Sequence, residues 1–198
     1  MNENRSGGRV RRLWIAALFV LAACSGPPAE PPLQGARLGG PFTLVDQNGR
    51  TVKDSDFAGR YRLIYFGYSF CPDICPTDLQ ILGRALKRFE EEAPQRAARV
   101  QPIFITVDPA RDTPDVLKSY VANFHPRLIG LTGSKEQIGQ VMRAYGVSAT
   151  VPEGAGPDYL VDHSQVVALF GPKGEPIVLM PEDQGVAAVA EALDQWVK

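Results

Sequence analysis

Leu63-Ile64-Tyr65-Phe66-Gly67-Tyr68-Ser69-Phe70-Cys71-Pro72-Asp73-Ile74-Cys75-Pro76 decides the fold of this chain. Its first four residues are β-branched, aliphatic and aromatic, the composition of a buried strand. Beyond Pro76, Leu79, Leu82, Ala85, Leu86 and Phe89 recur at the spacing of one helix face, up to Glu92. Pro76 suits the first helical turn and Asp78 suits its positive end. Two cysteines therefore sit where a buried strand hands over to a helix. Open α/β sheets place their sites at the carboxyl ends of strands. The free N–H groups and partial positive charge of a helix N-terminus lower a thiol pKa.

Working outward, Val100 to Val107 reads as a second strong strand and Leu128 to Leu131 as a short one. Asp112-Thr113-Pro114 opens a helix expected to reach about Phe124. Ser134 caps another that runs to about Tyr145. Val147 to Leu160 is an excursion rich in Gly and Pro. Val166 to Phe170 and Pro176 to Met180 flank a Gly171-Pro172-Lys173-Gly174 turn, and Val186 to Val197 closes the chain with a helix. Before the first buried strand, Phe42 to Val45 and Thr51-Val52 flank Gln47-Asn48-Gly49, a hairpin signal. Strands alternating with helices give an α/β layer fold with a mixed sheet. The order is that of a thioredoxin-like fold with an N-terminal β-hairpin extension, expected over residues 41–198.

The first residues belong to no fold. Arg5, Arg9, Arg11 and Arg12 precede a short apolar stretch, Leu13 to Ala22, and Leu21-Ala22-Ala23-Cys24 sets small residues before a cysteine. Residues 1–23 read as a secretory signal peptide of the bacterial lipoprotein type, with Cys24 as the lipidation site. Residues 24–40, rich in Pro, Gly and Ala, read as a lipid-anchored flexible tether. The expected location is the cell membrane, with the domain facing the periplasm. The whole chain carries a net charge of −1. Cleavage before Cys24 leaves 17 positive and 21 negative side chains, near −4. Such a balance gives no basic field for nucleic acid, and the chain is expected to act as a monomer.

Only Cys71 and Cys75 then remain for chemistry. A loop this small braces little chain. At helical spacing their Cβ atoms would lie roughly 5–6 Å apart, wide for a disulfide, which wants about 4 Å. Spacing alone leaves metal binding and redox exchange equally open. His163, in Val161-Asp162-His163-Ser164, tips the reading towards metal. It precedes a strand whose loop faces the cysteine turn in a thioredoxin-like sheet. His125, in Phe124-His125-Pro126, reads as an ordinary structural histidine. Two thiolates and an imidazole form a soft site that suits copper(I) and accepts copper(II), with zinc as competitor. Asp162 and Asp108 are candidates to orient or tune this site. Tyr68, Phe70 and Ile74 are candidate docking contacts. A peroxidase would need an activating arginine beside a cysteine, and none sits in the motif.

Four separated motifs resemble the Sco/SenC family. They are Tyr65 to Pro76, Val107-Asp108-Pro109-Ala110-Arg111-Asp112-Thr113-Pro114, Leu128-Ile129-Gly130-Leu131-Thr132-Gly133 and Val161-Asp162-His163-Ser164. The resemblance spans about residues 38–198. It implies a thioredoxin-like domain binding one copper ion per chain through Cys71, Cys75 and His163. It further implies a metallochaperone that delivers copper to the dinuclear site of cytochrome c oxidase subunit II, or to a similar copper-accepting client. The alternative is a thiol–disulfide oxidoreductase in which Cys71 and Cys75 are the redox-active pair.

Overall fold

Two strands without an exposed residue form the centre of the sheet. β3 (Tyr61–Gly67) and β4 (Val100–Thr106) are buried along their full length. They run parallel, with Tyr61 opposite Val100 and Gly67 opposite Thr106. Parallel strands covered on both faces need near-continuous apolar residues and a crossover between them. Leu63 to Phe66 and Ile103-Phe104-Ile105 supply the first. The long helix α1 (Ile74–Glu92) and the short α2 (Pro94–Ala97) supply the second. The computed structural model describes residues 30–156 and 158–198, and Pro31 to Lys198 form one compact unit.

The other elements extend this centre. β5 (Ile129–Thr132) runs parallel to β4, and β8 (Val167–Phe170) antiparallel to β3. β9 (Pro176–Leu179) completes the expected hairpin with β8. The N-terminal hairpin of β1 (Thr43–Asp46) and β2 (Thr51–Lys53) is present too. Its turn is closed by Asp46, whose carbonyl accepts from Gly49 N–H and whose carboxylate accepts from Asn48 and Arg50 N–H at 2.8 Å. Gly49 holds φ at 76°, a left-handed value that glycine adopts without strain. The hairpin adds to the main sheet through β1 and β5, Val45 opposite Thr132, to give the order β2-β1-β5-β4-β3-β8-β9.

Helix α3 (Pro114–Val121) starts as expected, with Thr113 Oγ1 accepting from Val116 N–H. It stops before Phe124, because Asn123 and Phe124 N–H turn back three residues, to Tyr120 and Val121 carbonyls, ahead of Pro126. Helix α4 (Lys135–Ala144) has a full capping box between Ser134 and Gln137. The last helix, α5 (Val186–Trp196), packs beside α1. The excursion is pinched by two two-residue strands, β6 (Ala149–Thr150) and β7 (Asp162–His163).

One expectation changes. The described part of the expected tether, up to residue 40, is docked. Leu33 N–H donates to Ile177 O at 3.0 Å, Gly39 N–H to Ala144 O at 2.9 Å, and the Tyr145 hydroxyl to Gly40 O at 3.2 Å. Leu38 packs against the core. A stretch poor in apolar anchors is held by backbone bonds that composition does not reveal. The expected signal peptide and the expected lipidation site, Cys24, lie outside the described residues.

Candidate dithiol and histidine site

β3 ends at Gly67, and the chain turns through residues 68–73 into α1. The helix begins at Ile74, two residues before Pro76. Cys75 therefore lies in its first turn and Cys71 in the loop ahead of it, so the two are not a helical i, i+4 pair. Both are free thiols; Cys71 is half-buried and Cys75 fully buried.

Their environments push them apart. For Cys71, burial raises the pKa, but N–H groups of Asp73, Cys75 and Ile74 at the helix N-terminus outweigh it and hold the thiol below its usual range. For Cys75, burial dominates and pushes the thiol up to about 12, against smaller opposing hydrogen bonds from the Tyr65 hydroxyl and the Tyr68 backbone. Of the two sulfurs, Cys71 ionises more readily than Cys75.

His163 arrives from β7. Its Nε2 lies 3.7 Å from Cys75 Sγ, and its Nδ1 lies 2.9 Å from Ser164 O. A carbonyl only accepts, so Nδ1 donates to it, and in the neutral ring the lone pair of Nε2 faces the sulfur. The ring is also edge-on to Tyr68, with centroids 5.8 Å apart. Behind it, Ser164 N–H donates to Ser148 O, and Ser148 N–H donates to Ser164 Oγ. Among the described residues no three His, Cys, Asp or Glu side chains form a ready cluster for a metal ion.

The expected carboxylate helpers do not touch this trio. Asp162 is exposed in β7, and the ring nitrogen it was expected to orient is taken by the Ser164 carbonyl instead. Asp108 is buried, but its carboxylate bonds to Arg111 Nε at 2.5 Å and the Tyr159 hydroxyl at 2.7 Å. Its carbonyl accepts from Arg111 and Asp112 N–H and so forms a turn. His125 has the structural role expected: Nδ1 accepts from Arg127 N–H, and Nε2 lies 3.4 Å from Glu90. Of the candidate docking residues, Phe70 and Ile74 are exposed and Tyr68 is buried, its hydroxyl accepting from Val161 N–H.

Three functional side chains escaped the sequence reading. Asp112, read as a helix opener, is fully buried and accepts from Ser69 N–H, Ser69 Oγ and Thr106 Oγ1. It pins the turn two residues before Cys71. Burial raises its pKa against those hydrogen bonds. Asp78, read as a dipole partner, accepts from the Tyr65 hydroxyl at 3.1 Å and Gln165 Nε2 at 3.0 Å. Arg111 is absent from the cysteine motif in sequence, yet the fold brings it over Phe70 and Tyr68.

Fold and site together define a thioredoxin-like domain whose dithiol turn meets a histidine from an opposing loop. A family model described as SCO1/SenC matches residues 30–198, and the chain belongs to that family. The mitochondrial SCO2 protein of Saccharomyces cerevisiae is 40% identical over 166 residues, covering 81% of this chain and 54% of its own length. A SCO2-like protein of Rickettsia prowazekii is 39% identical over 170 residues, covering 81% of this chain and 80% of its own. The chain spans about half the length of several mitochondrial relatives that it matches. Among solved structures, copper-bound ScoI of Arabidopsis thaliana matches with a TM-score of 0.74 at 38% identity, over 80% of this chain and 97% of that one. BsSco, described as a member of the Sco family of cytochrome c oxidase assembly proteins and as having a disulfide switch, matches at 0.61 and 26%, over 83% and 96%. A thioredoxin domain from Bacteroides vulgatus, at 14% identity and TM-score 0.56 over 81% and 96%, shares the fold.

Proposed function

We propose that this chain is a copper metallochaperone that binds one copper ion through Cys71, Cys75 and His163. It delivers that ion to the dinuclear copper site of cytochrome c oxidase subunit II. The observation that carries the reading is the 3.7 Å approach of His163 Nε2 to Cys75 Sγ. Taking the metal–sulfur and metal–nitrogen lengths of zinc sites, about 2.3 and 2.0 Å, donors at that separation subtend about 120° at a shared ion. That is the angle of a trigonal three-donor site. That approach supports Cys75 and His163 as two of the donors, and Cys71, in the turn that leads into α1, is the third. Its depressed pKa supports this, since the thiolate is the ligand form. A copper-bound plant relative and a family member described by oxidase assembly support the cargo and the client.

A site with three protein donors leaves the ion open to attack by client thiolates, so transfer proceeds by ligand exchange. The half-exposed Phe70 and Ile74 flank Cys71 where a client would dock. Lipid at Cys24 holds the domain at the periplasmic face of the cell membrane, where it works as a monomer. Among the described residues no helix is long and apolar enough to cross a membrane. Metal analysis of the reduced domain tests the proposal. One copper per chain is expected for the parent, with loss on Cys71→Ala, Cys75→Ala or His163→Ala. Unchanged binding by His163→Ala overturns the ligand set.

The unequal thiols support a second reading, a thiol–disulfide oxidoreductase. A readily ionised Cys71 would attack and a buried Cys75 would resolve the mixed disulfide. It requires both cysteines and not His163, so an exchange assay with His163→Ala separates the two.

A further inference from the structure

The segments that carry the candidate ligands share few direct bonds. Cys71 lies in the turn after β3, and His163 closes the excursion from β6 to β7. Among the described residues, the backbone hydrogen bonds of Val151 to Val161 are one internal turn, Ala155 N–H to Pro152 O at 3.3 Å, and Val161 N–H to the Tyr68 hydroxyl at 3.2 Å. Beyond the β6–β7 pairing at its base and the core packing of Val161, the excursion is held by side chains, Tyr159 foremost.

Arg111 lies between the two segments. Its Cζ sits 3.5 Å from the ring centroid of Tyr159 in the excursion, and 4.8 Å and 5.7 Å from those of Phe70 and Tyr68 in the cysteine turn. Asp108 fixes both partners, accepting from Arg111 Nε and from the Tyr159 hydroxyl. The Arg111 side chain is 14% exposed, and its Nη2 is buried with no hydrogen-bond partner. A buried donor without an acceptor costs free energy. The guanidinium is kept there for its flat face, which contacts both segments. Cation–π contacts strengthen when desolvated, and the planar guanidinium stacks where an ammonium cannot.

We infer that Arg111 is a positioning residue that clamps the 149–163 excursion onto the Cys71 turn, and so sets how firmly His163 and the thiols hold one metal ion. The inference rests on the copper-binding reading above. Arg111 makes no bond to the ion; it acts by keeping the imidazole beside the sulfurs.

The test compares the parent with Arg111→Ala, Arg111→Lys and Tyr159→Ala. Tyr159 is partly buried at the margin of the core on the excursion, so its truncation reports on the clamp should Arg111→Ala fail to fold. Two readouts are taken: amide hydrogen exchange of residues 149–163 in the metal-free protein, and cuprous ion retention against a chromogenic chelator. Arg111→Ala and Tyr159→Ala are expected to speed exchange in that segment. They are also expected to weaken retention by about 10–100-fold, the usual effect of losing a group that orients a ligand. Arg111→Lys should behave like Arg111→Ala. Unchanged exchange, faster exchange with unchanged retention, or full rescue by lysine each overturns the clamp. A parent that binds no copper overturns the copper reading and this positioning role with it. A parent and variants that bind equally overturn the clamp alone.

Discussion

Gly67 has no side chain because the site leaves no room for one. A Cβ there would meet the Tyr65 ring at 2.7 Å, Cys75 Sγ at 3.1 Å and the Phe104 ring at 3.3 Å. Gly67→Ala is expected to cost about 1–3 kcal/mol through overpacking and to push Cys75 off His163. Urea unfolding reads the first effect, and weaker metal retention reads the second. Asp112→Ala leaves the half-buried donors of Ser69 and the buried hydroxyl of Thr106 without this partner, at a cost of about 1–3 kcal/mol. It should also change the alkylation rate of Cys71, because the turn loses its anchor; an unchanged rate would refute that anchoring role. The approach of His163 to the cysteine turn was legible, because the order of strands and helices sets the two on facing loops of one sheet. Asp112, Asp78 and Arg111 were not, because each acts on a partner that only folding brings near. Asp112 precedes Thr113-Pro114 and so reads as a helix opener. Its hold on Ser69 spans 43 positions of sequence.

The elements divide along the same line. α1, β3 and β4 carry strong periodic or continuous apolar patterns, and sequence placed them to within a few residues. The β6–β7 pair has two residues per strand, too few for any period to register. The attachment of β1 to β5 is likewise invisible, since pairing depends on what lies beside an edge and not on the hairpin's own residues. Residues 31–40 make the sharpest case. Their composition reads as tether, while their backbone is bonded to Ile177 and Ala144. Starting the chain at Pro41 removes both of these bonds, the bond from the Tyr145 hydroxyl to Gly40 O, and the partial burial of Leu38. At about 1 kcal/mol each, the loss should be roughly 3–4 kcal/mol in urea unfolding. A free tether would leave the midpoint unmoved.

At the scale of the whole molecule, stability follows pH wherever folded and unfolded chains bind protons differently. His125 is the group that acts near neutrality. Burial lowers its pKa from 6.5, and the nearby Glu90 carboxylate only partly offsets this. The unfolded chain therefore takes up a proton, as pH falls below about 6.5, that the folded chain still refuses. Its contribution to stability is complete above that value and is lost as pH falls towards the depressed folded pKa. Asp54 and Asp112 have the opposite sign: burial raises both from 3.8, so their stabilisation is present in acid and is lost as pH rises through their folded values. They start lower on the pH scale than the His125 window. His125→Asn keeps an acceptor for Arg127 N–H while removing the titration. Urea midpoints measured from pH 7.5 to 5 should fall more steeply for the parent than for His125→Asn, by up to about 1.4 kcal/mol per pH unit inside the window. Parallel curves would mean that this buried imidazole takes up its proton as readily in the folded chain as in the unfolded one.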